Sequence, residues 1–202
     1  MKTARMMTMM AVAAATVYAG EQKARTIDVY VADHRHANRP LGMAEQYTNG
    51  IFASVNLGVR WHSGKAPAAP GPLTLAIDLV DLAPDNVKPC ALAFALPYEG
   101  VHITVFYDRV LAMDKSFPDA VLGHVLAHEI AHLLEGVVRH SVTGVMKATY
   151  TRKDTLAMRS TPLAFTATDI DLIDAGVTGR LLHRAGLDTR GITASVAAEE
   201  PR

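Results

Sequence analysis

The stretch HEIAHLLEGVVRHSVTGVM, from His128 to Met146, decides how the rest of the chain is read. At about 100° per residue, an α-helix places His128 and His132 about 40° apart and one turn along, so both imidazoles reach one metal ion. On the same wheel Leu122, Leu126, Ile130, Leu133 and Leu134 fall together on the opposite side. The helix then has an apolar face for a core and a histidine face, with His124 and Glu135, for a cleft. Neutral imidazole nitrogen is a good donor to Zn²⁺, and a catalytic zinc keeps three protein ligands and a fourth position for water. Glu129 lies about 100° round from His128 and flanks that position. A carboxylate there can accept a proton from water that the metal has acidified to a pKa of about 7.

Two ligands are too few for such a site, and His140 is the candidate for the third. Gly136 can end the helix in a left-handed turn and send the chain back. Four steps from Gly136 to His140 reach about 13–14 Å when extended. The helix advances only about 6 Å between His132 and Gly136. Acidic alternatives stand further along at Asp169, Asp171 and Asp174. His124 lies within the same helix and is expected to support or line the cleft, because a straight helix rarely gives three ligands to one tetrahedral ion. Glu135 is expected to be solvated or to support a ligand.

Working outward, Ser116-Phe117-Pro118-Asp119 reads as a helix start, with Ser116 as the cap and Pro118 in the first turn, and the helix runs to about Glu135. Upstream, alternation predicts strands at 26–32, 58–62, 73–80, 91–96 and 101–107, the last with Val101, Ile103, Val105 and Tyr107 on one face. Near-helical spacing of Leu41, Ala44, Tyr47, Ile51 and Phe52 predicts a helix over 41–54. Residues 33–40, 63–72 and 97–100 read as turns or loops. Downstream, a loop to about Thr166 leads to a last helix over 167–175, stopped by Gly176, and residues beyond Ile192 form a loose polar tail. No internal repeat and no long linker is visible.

The chain has 202 residues, 50% of them hydrophobic and 20% charged, which is globular composition. Lys+Arg and Asp+Glu are both 20, so nothing in the charge balance points to nucleic acid or an anionic membrane. The single cysteine, Cys90, excludes an internal disulfide and reads as a small apolar residue beside a strand. Lys2 and Arg5, the uncharged run Met6–Val17 and Val17-Tyr18-Ala19 make a secretory signal peptide the expectation for residues 1–19. The run is shorter than the roughly 20 apolar residues that span a bilayer. Residues 20–202 are then one domain of a secreted or periplasmic protein with no membrane span. His34 and His36 read as part of a solvated turn, and His62, His102 and His183 as ordinary residues.

The quoted run resembles the metzincin clan of zinc peptidases, and its matrixin-like members most of all. That clan's pattern is His-Glu-x-x-His-x-x-Gly-x-x-His, followed by a tight turn carrying methionine. The resemblance covers about residues 26–176. It implies an α+β, zincin/metzincin-like fold: a mixed twisted sheet of about five strands, an active-site helix, a Met-turn and a C-terminal helix. It implies zinc ligands His128, His132 and His140, general base Glu129 and Met-turn residue Met146, with Gly144 permitting the turn. It also implies that the edge strand holds an extended peptide or protein substrate by strand addition. Here Gly136 comes one residue later and His140 two residues later than in the clan pattern, so the loop is longer. The expectation is one catalytic zinc without a second structural one, and no claim is made for calcium. Tyr150, four residues past Met146, can donate to an oxyanion or pack under the turn. The remaining alternatives are a zincin-type hydrolase with an acidic third ligand and an exported zinc-binding module without catalysis.

Overall fold

Ile27, Val29 and Val31 alternate with more polar residues along β1 (Arg25–Asp33), and this alternation buries one face of the sheet. The structure, a computed structural model, describes residues 25–35, 41–88, 91–95, 100–184 and 186. The expected signal peptide, His36, Cys90, most of the 97–100 turn and the tail beyond Ile192 lie outside the described residues. β1 has a parallel partner on each side, β2 (Leu57–Ser63) and β3 (Thr74–Val80), with Val29 opposite both Trp61 and Leu75. Parallel neighbours need a crossover, and α1 (Gly42–Ala53) supplies it between β1 and β2. β5 (His102–Phe106) adds in parallel to β3, and the short β4 (Ala93–Ala95) adds antiparallel to β5. The order is β2-β1-β3-β5-β4, so β4 is an edge.

The inner face carries Leu75, Ile77, Leu79, Ile103 and Val105, all buried, and joins one core with α1 and α3 (Pro118–Glu135). The Thr48 hydroxyl of α1 lies 2.9 Å from the Gly123 carbonyl of α3 and equally far from the Ala44 carbonyl of its own helix, where the two helices cross. The site helix is therefore clamped between the sheet, α1 and α5 (Ala167–Arg184). Among the described residues no helix is long and apolar enough to cross a membrane.

Several expectations are corrected. Tyr107 does not end a strand: the chain turns at Phe106 into α2 (Tyr107–Met113), held by Arg109 donating to the carbonyls of Lys88 and Ala91 at 2.6 and 2.5 Å. Ser116 does not cap α3. The boundary residue is Phe117, and no side chain caps the helix; Asp114 orders the approach to it, its Oδ1 accepting the N–H groups of Ser116 and Phe117 at 3.0 and 3.2 Å. The segment from Gly136 to Thr166 is not all loop, because α4 (Arg152–Met158) forms on a reciprocal capping box between Thr151 and Asp154. Gly176 does not stop the last helix. α5 continues to Arg184, and Gly176 is the point where it touches α3, since a Cβ there would collide with the Leu134 carbonyl.

Candidate metal centre

α3 ends at Gly136, whose φ of 67° is left-handed, and the chain then returns with His140. The result is the gathering that the spacing anticipates: donor nitrogens of His128, His132 and His140 lie within 4.8 Å of one another. The Nε2 atoms of His128 and His132 are 3.0 Å apart, and the His140 ring centroid lies 5.3 and 5.0 Å from theirs. Two bonds of 2.0–2.1 Å at a tetrahedral angle subtend about 3.3 Å, so the helix pair is already close to the spacing that zinc needs. His128 and His132 are buried while His140 is exposed, which leaves the site open on the His140 side.

Protonation fits as well. Burial holds the His128 imidazole down at about 4 and the His132 imidazole at about 3, so both are neutral donors at pH 7. His128 Nδ1 lies 2.8 Å from the carbonyl oxygen of Val145. A carbonyl only accepts, so Nδ1 carries the proton and Nε2 presents its lone pair to the other histidines. The donor chemistry, the neutral state and the spacing all suit zinc.

Glu129 is buried beside this cluster, and its carboxylate accepts from the backbone of Ala95 on the edge strand β4. Burial pushes its pKa up to about 8, against which the Ala95 hydrogen bond acts. Met146 is fully buried, and its carbonyl accepts the Ser141 N–H at 2.7 Å, closing the turn after His140. Within that turn Gly144 has a φ of 79° and lies against the Ala164 carbonyl, a position for a residue without Cβ. Tyr150 donates its hydroxyl to the Val145 carbonyl at 2.6 Å, the same oxygen that holds His128.

The other candidates are accounted for elsewhere. His124 does not line the cleft: it is fully buried, its Nδ1 donates to the Ala120 carbonyl at 2.7 Å and its Nε2 accepts the Leu163 N–H at 3.0 Å. Glu135 is not solvated; it is buried against Arg139, and burial raises it to about 7. Asp169 is fully buried and occupied by Arg139, Ser141 and Thr166. Asp171 and Asp174 are exposed, the latter paired with Arg25. None of these acids joins the histidine cluster. His34 faces Asp78 at the surface, His62 bonds Asp28 at 2.8 Å, and His102 and His183 are exposed. Sequence reasoning missed Val145, because its part is played by a backbone oxygen, and missed the ties of Arg139 and Ser141 to Asp169, which appear only in three dimensions.

A mixed five-stranded sheet with an antiparallel edge strand, a buried helix bearing two of three gathered histidines and a closing helix define a zincin/metzincin-like fold. A solved structure agrees in fold. The archaemetzincin from Methanopyrus kandleri matches with a TM-score of 0.55 at 14% identity, over 78% of this chain and 98% of that one. An archaemetzincin from Archaeoglobus fulgidus, complexed with malonate, matches with a TM-score of 0.47 at 12% identity, over 72% of this chain and 99% of that one. No protein-family model matches the chain, and no curated protein matches its sequence significantly.

Proposed function

We propose that this chain is a zinc-dependent endopeptidase of the metzincin type, matrixin-like in its motif, with His128, His132 and His140 holding the ion. The observation that carries the reading is the convergence of those three imidazoles, two of them buried and neutral, with a buried carboxyl one residue from the first. The name of the Methanopyrus kandleri fold neighbour, an archaemetzincin, supports it. Zinc held there supplies Lewis acidity towards a carbonyl group and towards water. Glu129 takes a proton from the attacking water onto its carboxylate and delivers it to the departing amine. Burial alone would keep this carboxyl protonated at neutral pH; a cation held by the neighbouring histidines would favour the ionised form that accepts the proton. The outer edge of β4 has no partner strand among the described residues and can take up an extended peptide as one more strand, beside the Ala95 N–H that bonds Glu129. The signal-like residues 1–19 support export, so we infer a secreted or periplasmic enzyme whose mature chain begins near Gly20, a start that N-terminal sequencing checks.

The test is metal content and hydrolysis of a mixed peptide pool for wild type and Glu129→Ala. One zinc per chain is expected in both, with hydrolysis reduced about 10²–10⁴-fold in the variant. A wild type that binds zinc and cleaves nothing points to a binding module. A wild type that takes up no metal refutes the reading.

A further inference from the structure

His140 is the one histidine of the three that no helix carries, and it sits in a loop longer than the clan pattern has. Something must hold such a loop still, since a ligand that wanders by an ångström binds metal poorly. Both residues flanking His140 are tied to one buried carboxylate. Arg139 Nη1 donates to Asp169 Oδ1 at 2.6 Å, and the Ser141 hydroxyl donates to the same oxygen at 2.6 Å. Arg139 Nη2 also donates to Ser141 Oγ at 2.9 Å, which closes a ring of side chains around the stem of the loop. The other oxygen, Oδ2, accepts the Thr166 N–H at 2.7 Å, and Thr166 Oγ1 accepts the Asp169 N–H at 3.3 Å. The carboxylate is thereby fixed to the first turn of α5, which packs on α3 through Gly176. The Asp169 side chain is wholly buried, so its charge is balanced by Arg139 and not by water.

We propose that Asp169 is the positioning residue for the third ligand: it clamps Arg139 and Ser141 so that His140 is held facing His128 and His132. This rests on the zinc reading of the three histidines. A helix cap alone would need only the Oδ2 bond to Thr166. The doubled use of Oδ1 on the two neighbours of His140 is what points to the metal site.

The test measures metal affinity by competition with a chelator, and the visible absorption of the cobalt(II)-loaded protein, in wild type, Asp169→Asn, Ser141→Ala and Gly179→Ala. Asp169→Asn is expected to weaken zinc about 10–100-fold. It should also change the cobalt spectrum, because one imidazole is no longer held in place. Ser141→Ala should shift both in the same direction by less. Gly179→Ala, on the same helix as Asp169 with nothing within 4 Å of the new Cβ, should leave affinity and spectrum unchanged. If Asp169→Asn does not fold, Ser141→Ala decides. Unshifted affinity and spectrum in the folded Asp169 and Ser141 variants, with a metal-binding wild type, overturn this inference alone. A wild type that binds neither zinc nor cobalt overturns it together with the zinc reading.

Discussion

His128 is joined through Nδ1 to the backbone oxygen of Val145, 17 residues further along, at 2.8 Å. That bond connects the helix carrying two of the histidines to the turn that follows the third. It also sets the tautomer that frees Nε2. The Val145 oxygen is shared with the Tyr150 hydroxyl at 2.6 Å, so the tyrosine holds the acceptor that holds the histidine.

Tyr150→Phe removes that second donor and nothing else of size. The expected outcome is a folded protein that binds zinc about tenfold more weakly. A buried acceptor that loses one of two donors costs about 0.5–1.5 kcal/mol of stability. Chelator competition and urea denaturation check the two effects separately. Unchanged zinc affinity would make the Tyr150 bond a matter of packing alone.

The metal-free protein should lose stability as pH rises above 6.5. Burial raises Glu129 to about 8 and Glu135 to about 7, from 4.5 in the unfolded chain. A carboxyl that binds its proton more tightly when folded contributes stability that is full below 4.5 and lost as pH climbs to its folded value. His128 and His132 are depressed by burial to about 4 and 3 from 6.5, so their contribution is full above 6.5 and lost as pH falls through those lower values. The two slopes oppose one another between 4.5 and 6.5, and above that the carboxyls act alone. Urea midpoints in the presence of chelator should therefore fall from pH 6.5 to 8.5, and Glu129→Gln should flatten the fall. A midpoint that rises over this range contradicts the assignment.

Asp114 should matter more to α3 than the serine that follows it in sequence. It holds the turn that leads into the helix through Oδ1 and pairs with Arg159 through Oδ2 at 2.6 Å, with its side chain almost buried. Asp114→Ala strands two backbone donors and one guanidinium, a loss of about 1–3 kcal/mol. Ser116→Ala should change the thermal midpoint little. Equal effects of the two would mean that the Asp114 bonds do not steady the start of α3.

What could be read from the chain was whatever repeats with the period of its element. The alternation of β1 and β3 and the i, i+4 pair His128 and His132 are of this kind, and all appear where expected. What could not be read depends on partners distant in sequence. His124 shares the spacing of the clustered histidines, but it is satisfied by the Leu163 N–H, 39 residues away, and so turns inward. α3 shows no open histidine face, because almost every side chain on it is buried by α1, α5 or the sheet. α4 did carry a local signal, Thr151 with Asp154, but its seven residues are too few for an apolar period to register beside it. Gly176 follows a periodic run as a helix-ending glycine would, and only the approach of α3 reveals its other use.

That use gives a paired test within one helix. At Gly176 a Cβ would lie 2.8 Å from the Leu134 carbonyl carbon and closer still to its oxygen, both of them backbone atoms that cannot swing aside. At Gly179, three residues on, a Cβ meets nothing within 4 Å. Helix propensity alone favours alanine over glycine by about 1 kcal/mol at either position. Overpacking at a closed contact costs about 1–3 kcal/mol, so it should outweigh propensity at Gly176. The separation it would force also disturbs Arg180, which donates to the Leu133 carbonyl at 2.5 Å and the Gly100 carbonyl at 2.9 Å. Those bonds satisfy an end carbonyl of α3 and link α5 to the start of β5, so they oppose a simple rigid shift of α5. Gly176→Ala should therefore lower the urea midpoint, and Gly179→Ala should leave it unchanged or raise it. Equal gains from both substitutions would mean that α5 does not seat on α3 at Gly176.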